Sequence, residues 1–164
     1  MTLPVRTQLA ASTTNRKWWL DVSLDGTTWT PVMGLTEFNP NLDDATWQDD
    51  SDFDGGGAKS QTKTAFGWAF TGTARRAVTA ASTTAYDPGQ EMIRTRSIGK
   101  TGLANSLFVR CYEMEEGGPR IEAYSGRAGC QWAQNGGGMD ALSTAALTLQ
   151  GQGALAQIAH PDAA

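Results

Sequence analysis

The residues with the clearest potential for chemistry are six aspartates in the nineteen residues from Asn39 to Gly57, a run without lysine or arginine. The stretch from Asp50 to Gly55 reads D-x-D-x-D-G, the pattern that opens a calcium-binding EF-hand loop and supplies alternating carboxylate ligands. The twelfth position of such a loop is Gln61 instead of a bidentate glutamate, and no amphipathic helix flanks the run. The pattern therefore predicts no high-affinity metal site and leaves weak binding of a divalent cation open.

The other candidates for catalytic chemistry are isolated in the sequence. His160 is the one histidine and lies near the end of the sequence, where we expect a frayed tail that cannot hold a general base in place. Residues 151–156 fit G-x-G-x-x-A, but a dinucleotide site also needs a following helix and an acid about twenty residues on. Only thirteen residues follow Gly151, which is too few for these features. The glycines of the motif are therefore better explained by a bulge or by close strand packing. We predict no catalytic residue, no cofactor and no enzymatic activity.

Length and composition favour a single domain. The chain has 164 residues, of which 18% are charged and 9% aromatic, which suits one well-packed core and is too short for two ordinary domains. We expect neither a signal peptide nor a membrane span, and hence a protein made and kept in the cytosol. Cys111 and Cys130 suit a reducing compartment as small core residues, since a hairpin turning at Gly117 places Cys111 opposite Ala123.

Charge is distributed in blocks along the chain. Residues 41–58 carry six acids and no base, residues 59–110 carry eight bases and two acids, and residues 111–164 carry two bases and six acids. Unlike blocks can orient one copy against the next, although solvated loops of different charge would give the same pattern. The acidic balance, with an isoelectric point near 4.9, disfavours a surface that binds nucleic acid.

Alternating apolar residues predict strands through most of the chain. Residues 18–24 form a first strand, Asp25 and Gly26 a tight turn, and residues 27–32 the returning strand. After an acidic loop at residues 39–60, eleven alternating residues span roughly 35 Å, which is long for a small domain. Further strands are predicted at residues 106–114, 120–134 and 144–150.

One segment breaks the strand pattern and predicts a short helix. Asp87 is suited to the N-cap, Pro88 to the first helical position and Gln90 to the third. Gly99 is a natural end for this helix. We expect the helix to cover one face of the sheet.

The order of these elements resembles the major tail tube protein of long, non-contractile phage tails. The resemblance rests on WWLDVSLDGTTWTPV, TKTAFGWAFTGTARR, YDPGQEMIRT and the closing LTLQGQGALAQIAHP, and it covers residues 17–161. It implies a mainly β fold, a β-sandwich or barrel with one short flanking α-helix, in subunits that form hexameric rings. It further implies that the rings stack into a tube whose electronegative lumen conducts double-stranded DNA into the host cell. The implied partners are further copies of the chain, a tape-measure protein, a tail terminator and a distal tail protein, in a virion tail assembled in the host cytoplasm.

The resemblance also suggests roles for segments and residues within one tail tube domain, residues 1–164. Residues 1–17 would be an N-terminal arm, residues 39–60 a long acidic inter-subunit loop, mobile until a neighbour orders it, and residues 156–164 a C-terminal tail. The acidic residues, aromatic anchors and basic partners predicted at inter-subunit contacts are Asp43, Asp44, Trp47, Asp49, Asp50, Asp52, Phe53, Asp54, Lys59, Lys63, Arg75, Arg76, Arg94 and Arg96. The residues predicted to face the lumen are Glu113, Glu115 and Glu122.

Two other functions remain open from the sequence. The first is a soluble β-sandwich that binds carbohydrate or calcium, with Trp18, Trp19 and Trp29 as an aromatic platform, although such residues more often pack in a core. The second is the inner tube of a contractile tail or of a secretion apparatus, which would share the same fold.

Overall fold

A computed structural model describes residues 9–162 of the chain. The predicted N-terminal arm, residues 1–17, and the predicted C-terminal tail, residues 156–164, therefore each lie partly outside the described residues. Across the described range the chain forms ten strands and one α-helix: β1 (Trp18–Ser23), β2 (Thr30–Pro31), β3 (Leu35–Asp49), β4 (Gln61–Arg75), β5 (Val78–Thr79), β6 (Ser82–Tyr86), α1 (Pro88–Ser97), β7 (Ser106–Glu113), β8 (Ala123–Gln134), β9 (Thr144–Gly151) and β10 (Ala156–Gln157). In this part of the chain no helix is long and apolar enough to cross a membrane.

Eight of the strands form one antiparallel sheet, and the predicted mainly β fold with one helix is confirmed. The strand order is β2-β1-β7-β8-β9-β4-β3, and β10 pairs with β8 outside this path. Strand β8 pairs with β7 through its first half and with β9 through its second half, so it links the two parts of the sheet. Strands β5 and β6 form a separate small hairpin before α1.

The core lies on one face of this sheet and follows the period-2 pattern of the strands. Alternate residues of β1, β7, β8, β9 and β4 are buried together, and Ile93 of α1 packs among them. The Trp68 indole fills the centre: a Cβ added to Gly126 or to Gly151 would lie 2.5 Å from its ring atoms. The glycines at these two positions therefore permit close packing, as predicted for Gly151. The indole N–H of Trp68 donates to the Gly153 carbonyl at 3.0 Å.

The helix begins and ends as the sequence predicts. The Asp87 carboxylate accepts from the Gln90 amide at 2.9 Å, Pro88 occupies the first helical position, and Gly99 follows the helix with a φ of +64°. Gln90 is buried, and its side-chain amide donates to the carbonyls of Met33 and Arg75. The helix is thus hydrogen-bonded to the sheet as well as packed on it.

The predicted boundaries of the first hairpin and of the acidic loop are wrong. The returning strand β2 has two residues, because the Asp25 carboxylate accepts from the amides of Thr27 and Thr28 and holds a wider turn. Residues 39–49, predicted to be loop, lie in the fifteen-residue strand β3, which pairs with β4 from Leu35 to Asp49. The connecting loop is confined to residues 50–60.

The end of the described chain is also ordered, against the prediction of a frayed tail. His160 is 7% exposed, its Nε2 lies 2.7 Å from the Glu113 carbonyl, and its ring packs edge-on against Tyr112. Both cysteines are free and buried, and Cys111 lies opposite Tyr124, one residue from the predicted position.

Candidate assembly surface

The long β3–β4 hairpin extends beyond the rest of the sheet. Strand β4 pairs with β9 only between Ala69 and Arg75, whereas residues 61–67 pair with β3 alone. We call residues 43–66 the ribbon; they are all exposed except the half-buried Ala45. The seven residues 61–67 correspond to roughly 23 Å of strand.

The ribbon carries the whole net charge of the protein. It contains six aspartates and two lysines, a net charge of −4, which equals the formal net charge of the full chain. Acids and bases therefore balance in the remaining residues. Lys63 pairs with Asp43 at 2.6 Å, between two exposed side chains of adjacent strands. The other five aspartates make no ion pair with any described residue.

Four of the ribbon carboxylates take part in local contacts with neighbouring residues. Asp49 accepts from the Ser51 amide, Asp52 accepts from the Asp54 amide, and Asp50 accepts from the Thr62 hydroxyl. These bonds lower the pKa values of Asp49 and Asp50 from their ordinary range, so both are ionised at neutral pH. Within residues 9–162 no three acidic, histidine or cysteine side chains are grouped to hold a metal ion.

Three aromatic side chains of the ribbon are open to solvent. Trp47 is 55% exposed, Phe66 is 71% exposed, and Phe53 in the connecting loop is fully exposed. The register places Trp47 opposite Lys63 and Phe66 opposite Ala45, with a β-bulge between the two pairs. Exposed aromatic groups on a projecting element are typical of binding surfaces.

Both edges of the ribbon are free for further strand pairing. Strand β3 ends the sheet order, and within residues 9–162 no strand pairs with residues 61–67 of β4 on the side away from β3. An isolated two-stranded hairpin is marginally stable in water, and open edges bind other strands. This part of the molecule is therefore suited to contact with another chain.

The structure gives several predicted basic partners a role inside the chain. Arg76 is largely buried, pairs with Glu91 at 2.6 Å and lies 3.9 Å from the Tyr86 ring centroid, so its guanidinium is engaged within the chain and its predicted inter-subunit role stays a prediction. Arg94 also pairs with Glu91, at 2.7 Å, but is 38% exposed. Lys59 and Arg75 are exposed and form no ion pair with a described residue.

One of the three glutamates predicted to face a lumen, Glu113, is buried, so the prediction for this residue is wrong. Its side chain is 4% exposed, pairs with Lys17 at 2.8 Å and accepts from the amides of Ile121 and Glu122. Burial alone would raise the pKa of Glu113, but the hydrogen bonds from Lys17 and from the two amides outweigh it and lower the pKa to about 2. This carboxylate stabilises the fold and cannot line a channel. Glu115 and Glu122 lie at the surface nearby, and their predicted role stays a prediction.

Sequence reasoning missed a broad uncharged surface on the side of the sheet opposite the core. Ten side chains from β3, β4, β9 and β8 lie there in register, all exposed or half-buried. We call this surface the uncharged face; Glu37 and Arg75 lie at one end of it. The alternation within single strands could identify its members, but only the register brings them together. They are Asn39, Asn41, Ala69, Thr71, Thr73, Gln131, Ala133, Ala146, Thr148 and Gln150.

Sequence reasoning also missed a cluster of polar and aromatic side chains on the paired strands β1 and β7. The buried Asp21 carboxylate accepts from Arg110 at 2.8 Å and from the Tyr112 hydroxyl at 3.0 Å. Arg110 lies 4.6 Å from the Trp29 ring centroid, while Trp18 packs against the core. These contacts engage Trp18 and Trp29 within the fold and leave Trp19, 48% exposed, as the most open of the three tryptophans considered for a carbohydrate platform.

Comparison with known proteins adds information on the fold alone. No family model matches the sequence, and no curated protein matches it. A chain from the tail of an empty gene transfer agent particle, determined with C6 symmetry, matches with a TM-score of 0.63 and 15% identity, over 90% of this chain and 100% of that one.

The fold is that of chains from tail and baseplate particles. A chain from the native gene transfer agent virion matches with a TM-score of 0.62 and 12% identity, over 90% of this chain and all of that one. A chain from the baseplate of the anti-feeding prophage matches with a TM-score of 0.61 and 7% identity, over 93% of this chain and 99% of that one. At these identities the likeness is one of architecture.

Proposed function

We propose that the protein is a structural subunit of a virion tail, in which hexameric rings stack into a tube. The observation that carries this proposal is the fold shared over nine tenths of the chain with a subunit of a six-fold symmetric tail. The projecting ribbon supports it, because its free edges, exposed aromatic rings and concentrated charge are features of a surface that another subunit covers.

Ring formation has a physical basis in the open sheet. Strand β3 leaves one end of the eight-stranded sheet unpaired, and one chain of this size cannot close a barrel wide enough for duplex DNA. Several copies related by rotation can pair edge to edge, which removes the free edges and widens the barrel. The predicted contacts of Trp47 and Phe53 with a neighbour belong to this proposal.

We assign the wall of the channel to the uncharged face. Ten neighbouring positions without a lysine or arginine give phosphates no ion pair, and the absence of aromatic rings gives bases no stacking surface. Such a wall lets DNA slide with little binding. The net charge of −4 per subunit, carried on the ribbon, then supplies a weak general repulsion that salt screens beyond about 8 Å at physiological ionic strength.

The cellular role follows from the tube. The subunits assemble in the host cytoplasm around a tape-measure protein, end at a tail terminator and a distal tail protein, and conduct double-stranded DNA into the next host. The first candidate for this tube is the tail tube of a non-contractile tail. The likeness to a chain from the anti-feeding prophage baseplate keeps the inner tube of a contractile tail or secretion apparatus as the second.

Electron microscopy of the purified protein tests the proposal. We expect rings with six-fold symmetry or tubes, and the Trp47→Ala variant should stay a folded monomer while Trp47→Phe, the matched control, still assembles. A protein that remains monomeric at high concentration would contradict the tail assignment. A reconstruction of tubes with the uncharged face on the outside would contradict the assignment of the channel wall alone.

A further inference from the structure

A second charged surface lies at the C-terminal end of helix α1. Arg94 and Arg96 are in the last turn, and Lys100 follows the helix. The side chain of Arg96 donates to the Ala104 carbonyl at 3.3 Å, and Asn105 donates to the Arg96 carbonyl at 3.0 Å. These bonds hold the helix end against the 3-10 turn at Gly102–Asn105. No acidic residue occurs between positions 92 and 105.

This basic surface also contains exposed apolar side chains. Ile98 is 58% exposed and Leu103 is 77% exposed, and the two flank Lys100 in the sequence. We call Arg94, Arg96, Ile98, Lys100 and Leu103 the helix-end patch. Apolar side chains with charged groups around them are the usual arrangement of a protein interface.

The intramolecular contacts leave much of the positive charge of the patch available. Arg94 shares Glu91 with Arg76, so one carboxylate faces two guanidinium groups. Arg96 and Lys100 form no ion pair with any described residue. Basic residues in the last helical turn stabilise a helix, but Lys100 lies beyond that turn, where the effect of the helix dipole has fallen off.

The tip of the ribbon has the complementary properties. In residues 50–60, three aspartates surround Phe53 with a single lysine at the far end, and Phe53 is fully exposed. Since no residue in the described range covers Phe53, the ribbon tip and the helix-end patch of one molecule do not bury each other. Any contact between them must join two molecules.

We propose that the ribbon tip of one copy binds the helix-end patch of another copy. Phe53 packs between Ile98 and Leu103, and Asp52 and Asp54 face Arg96 and Lys100. The two surfaces differ, so the contact is heterologous and repeats from copy to copy, which produces closed rings or an extended stack. The inference rests on the proposed self-assembly and names the surface that receives the ribbon.

Cysteine cross-linking tests the contact without requiring tubes. Two single variants, Asp54→Cys and Leu103→Cys, are mixed under mild oxidation, and we expect a disulfide-linked dimer to form between them. The matched control mixes Asp54→Cys with Ile121→Cys, which places a cysteine at a similarly exposed apolar position, 71% exposed, outside the patch. The native cysteines are buried and do not interfere. Dimer yield no higher than in the control would overturn the proposal.

Charge reversal tests the same contact in assembly. Lys100→Glu should raise the concentration needed for assembly about tenfold, equivalent to a loss of about 1.4 kcal/mol per contact. Asp54→Lys should raise this concentration by a similar factor. A chain that carries both substitutions should assemble near the concentration of the unmodified protein. Arg16→Glu, which makes the same charge change at another exposed position, is the control.

The possible results separate the two proposals. Tubes that form normally but show neither the cross-link nor the charge-reversal rescue leave the tail assignment intact and refute the helix-end patch as receptor. A specific cross-link in a protein that never forms rings or tubes supports the contact and refutes the tail assignment.

Discussion

The buried Glu113 carboxylate provides the sharpest test of the fold. Its side chain is 4% exposed, Lys17 donates to Oε1 at 2.8 Å, and the amides of Ile121 and Glu122 donate to Oε2 at 3.2 and 3.1 Å. These bonds fix Glu113 between the chain preceding β1 and the turn that leads into β8. The Glu113 carbonyl also holds His160, so this residue connects both ends of the described chain.

The magnitude follows from the pKa of Glu113. Burial opposes ionisation, yet the bonds from Lys17 and the two amides lower the pKa from its ordinary 4.5 to about 2. At 1.36 kcal/mol per pKa unit, ionised Glu113 stabilises the native state by about 3 kcal/mol. Because the native pKa is the lower one, this stabilisation is complete above about pH 5 and disappears as the pH falls toward 2. We expect Glu113→Gln to lower the free energy of unfolding by about 3 kcal/mol at pH 7 and by about half of that at pH 3.

Urea denaturation of the unassembled protein, followed by tryptophan fluorescence at both pH values, measures these free energies. Glu116→Gln is the control, because it removes the same charge from an exposed position in the same turn. It should change the stability by less than about 0.5 kcal/mol. A Glu113→Gln effect below about 1 kcal/mol at pH 7, or one of equal size at pH 3, would refute the reasoning.

Two further predictions concern the core. Gly151→Ala should destabilise the fold by about 1–3 kcal/mol, since the new Cβ would lie 2.5 Å from the Trp68 indole, whereas Gly136→Ala, in open space, should be neutral; equal midpoints in urea would contradict this. Burial raises the pKa of the Cys130 thiol to about 12 and raises that of Cys111 further, so neither should react with a thiol reagent at pH 8 until the protein unfolds. Rapid modification of the native protein, measured by mass spectrometry, would show that the thiols are accessible.

Local signals in the sequence predicted the elements whose causes are local. The Asp87 cap with Pro88 and Gly99 sets both ends of the helix through bonds within a few residues. Apolar alternation predicted β1, β7 and β9 within one or two residues because their apolar core residues recur at every second position.

The candidate site was predicted less well than the fold. The sequence singled out the acidic run with Trp47 and Phe53 as the surface of interest, and the structure exposes those residues on the ribbon. The loop conformation predicted for residues 39–49 is wrong. These residues lack regular apolar alternation and form strand because they pair with β4. Glu113 was misplaced, and the pairing of Arg76 with Glu91 was not predicted, because the partners of both residues are distant in the chain.

By itself, the sequence determined a mainly β chain with one capped helix, free core cysteines and a concentrated acidic segment, since propensity, period and charge act over short distances. The tertiary structure alone decided that this segment is a projecting ribbon, that ten uncharged side chains form one face, and that Glu113 and His160 are buried together. Each of those outcomes depends on register and packing between residues far apart in the chain, and no local pattern encodes them.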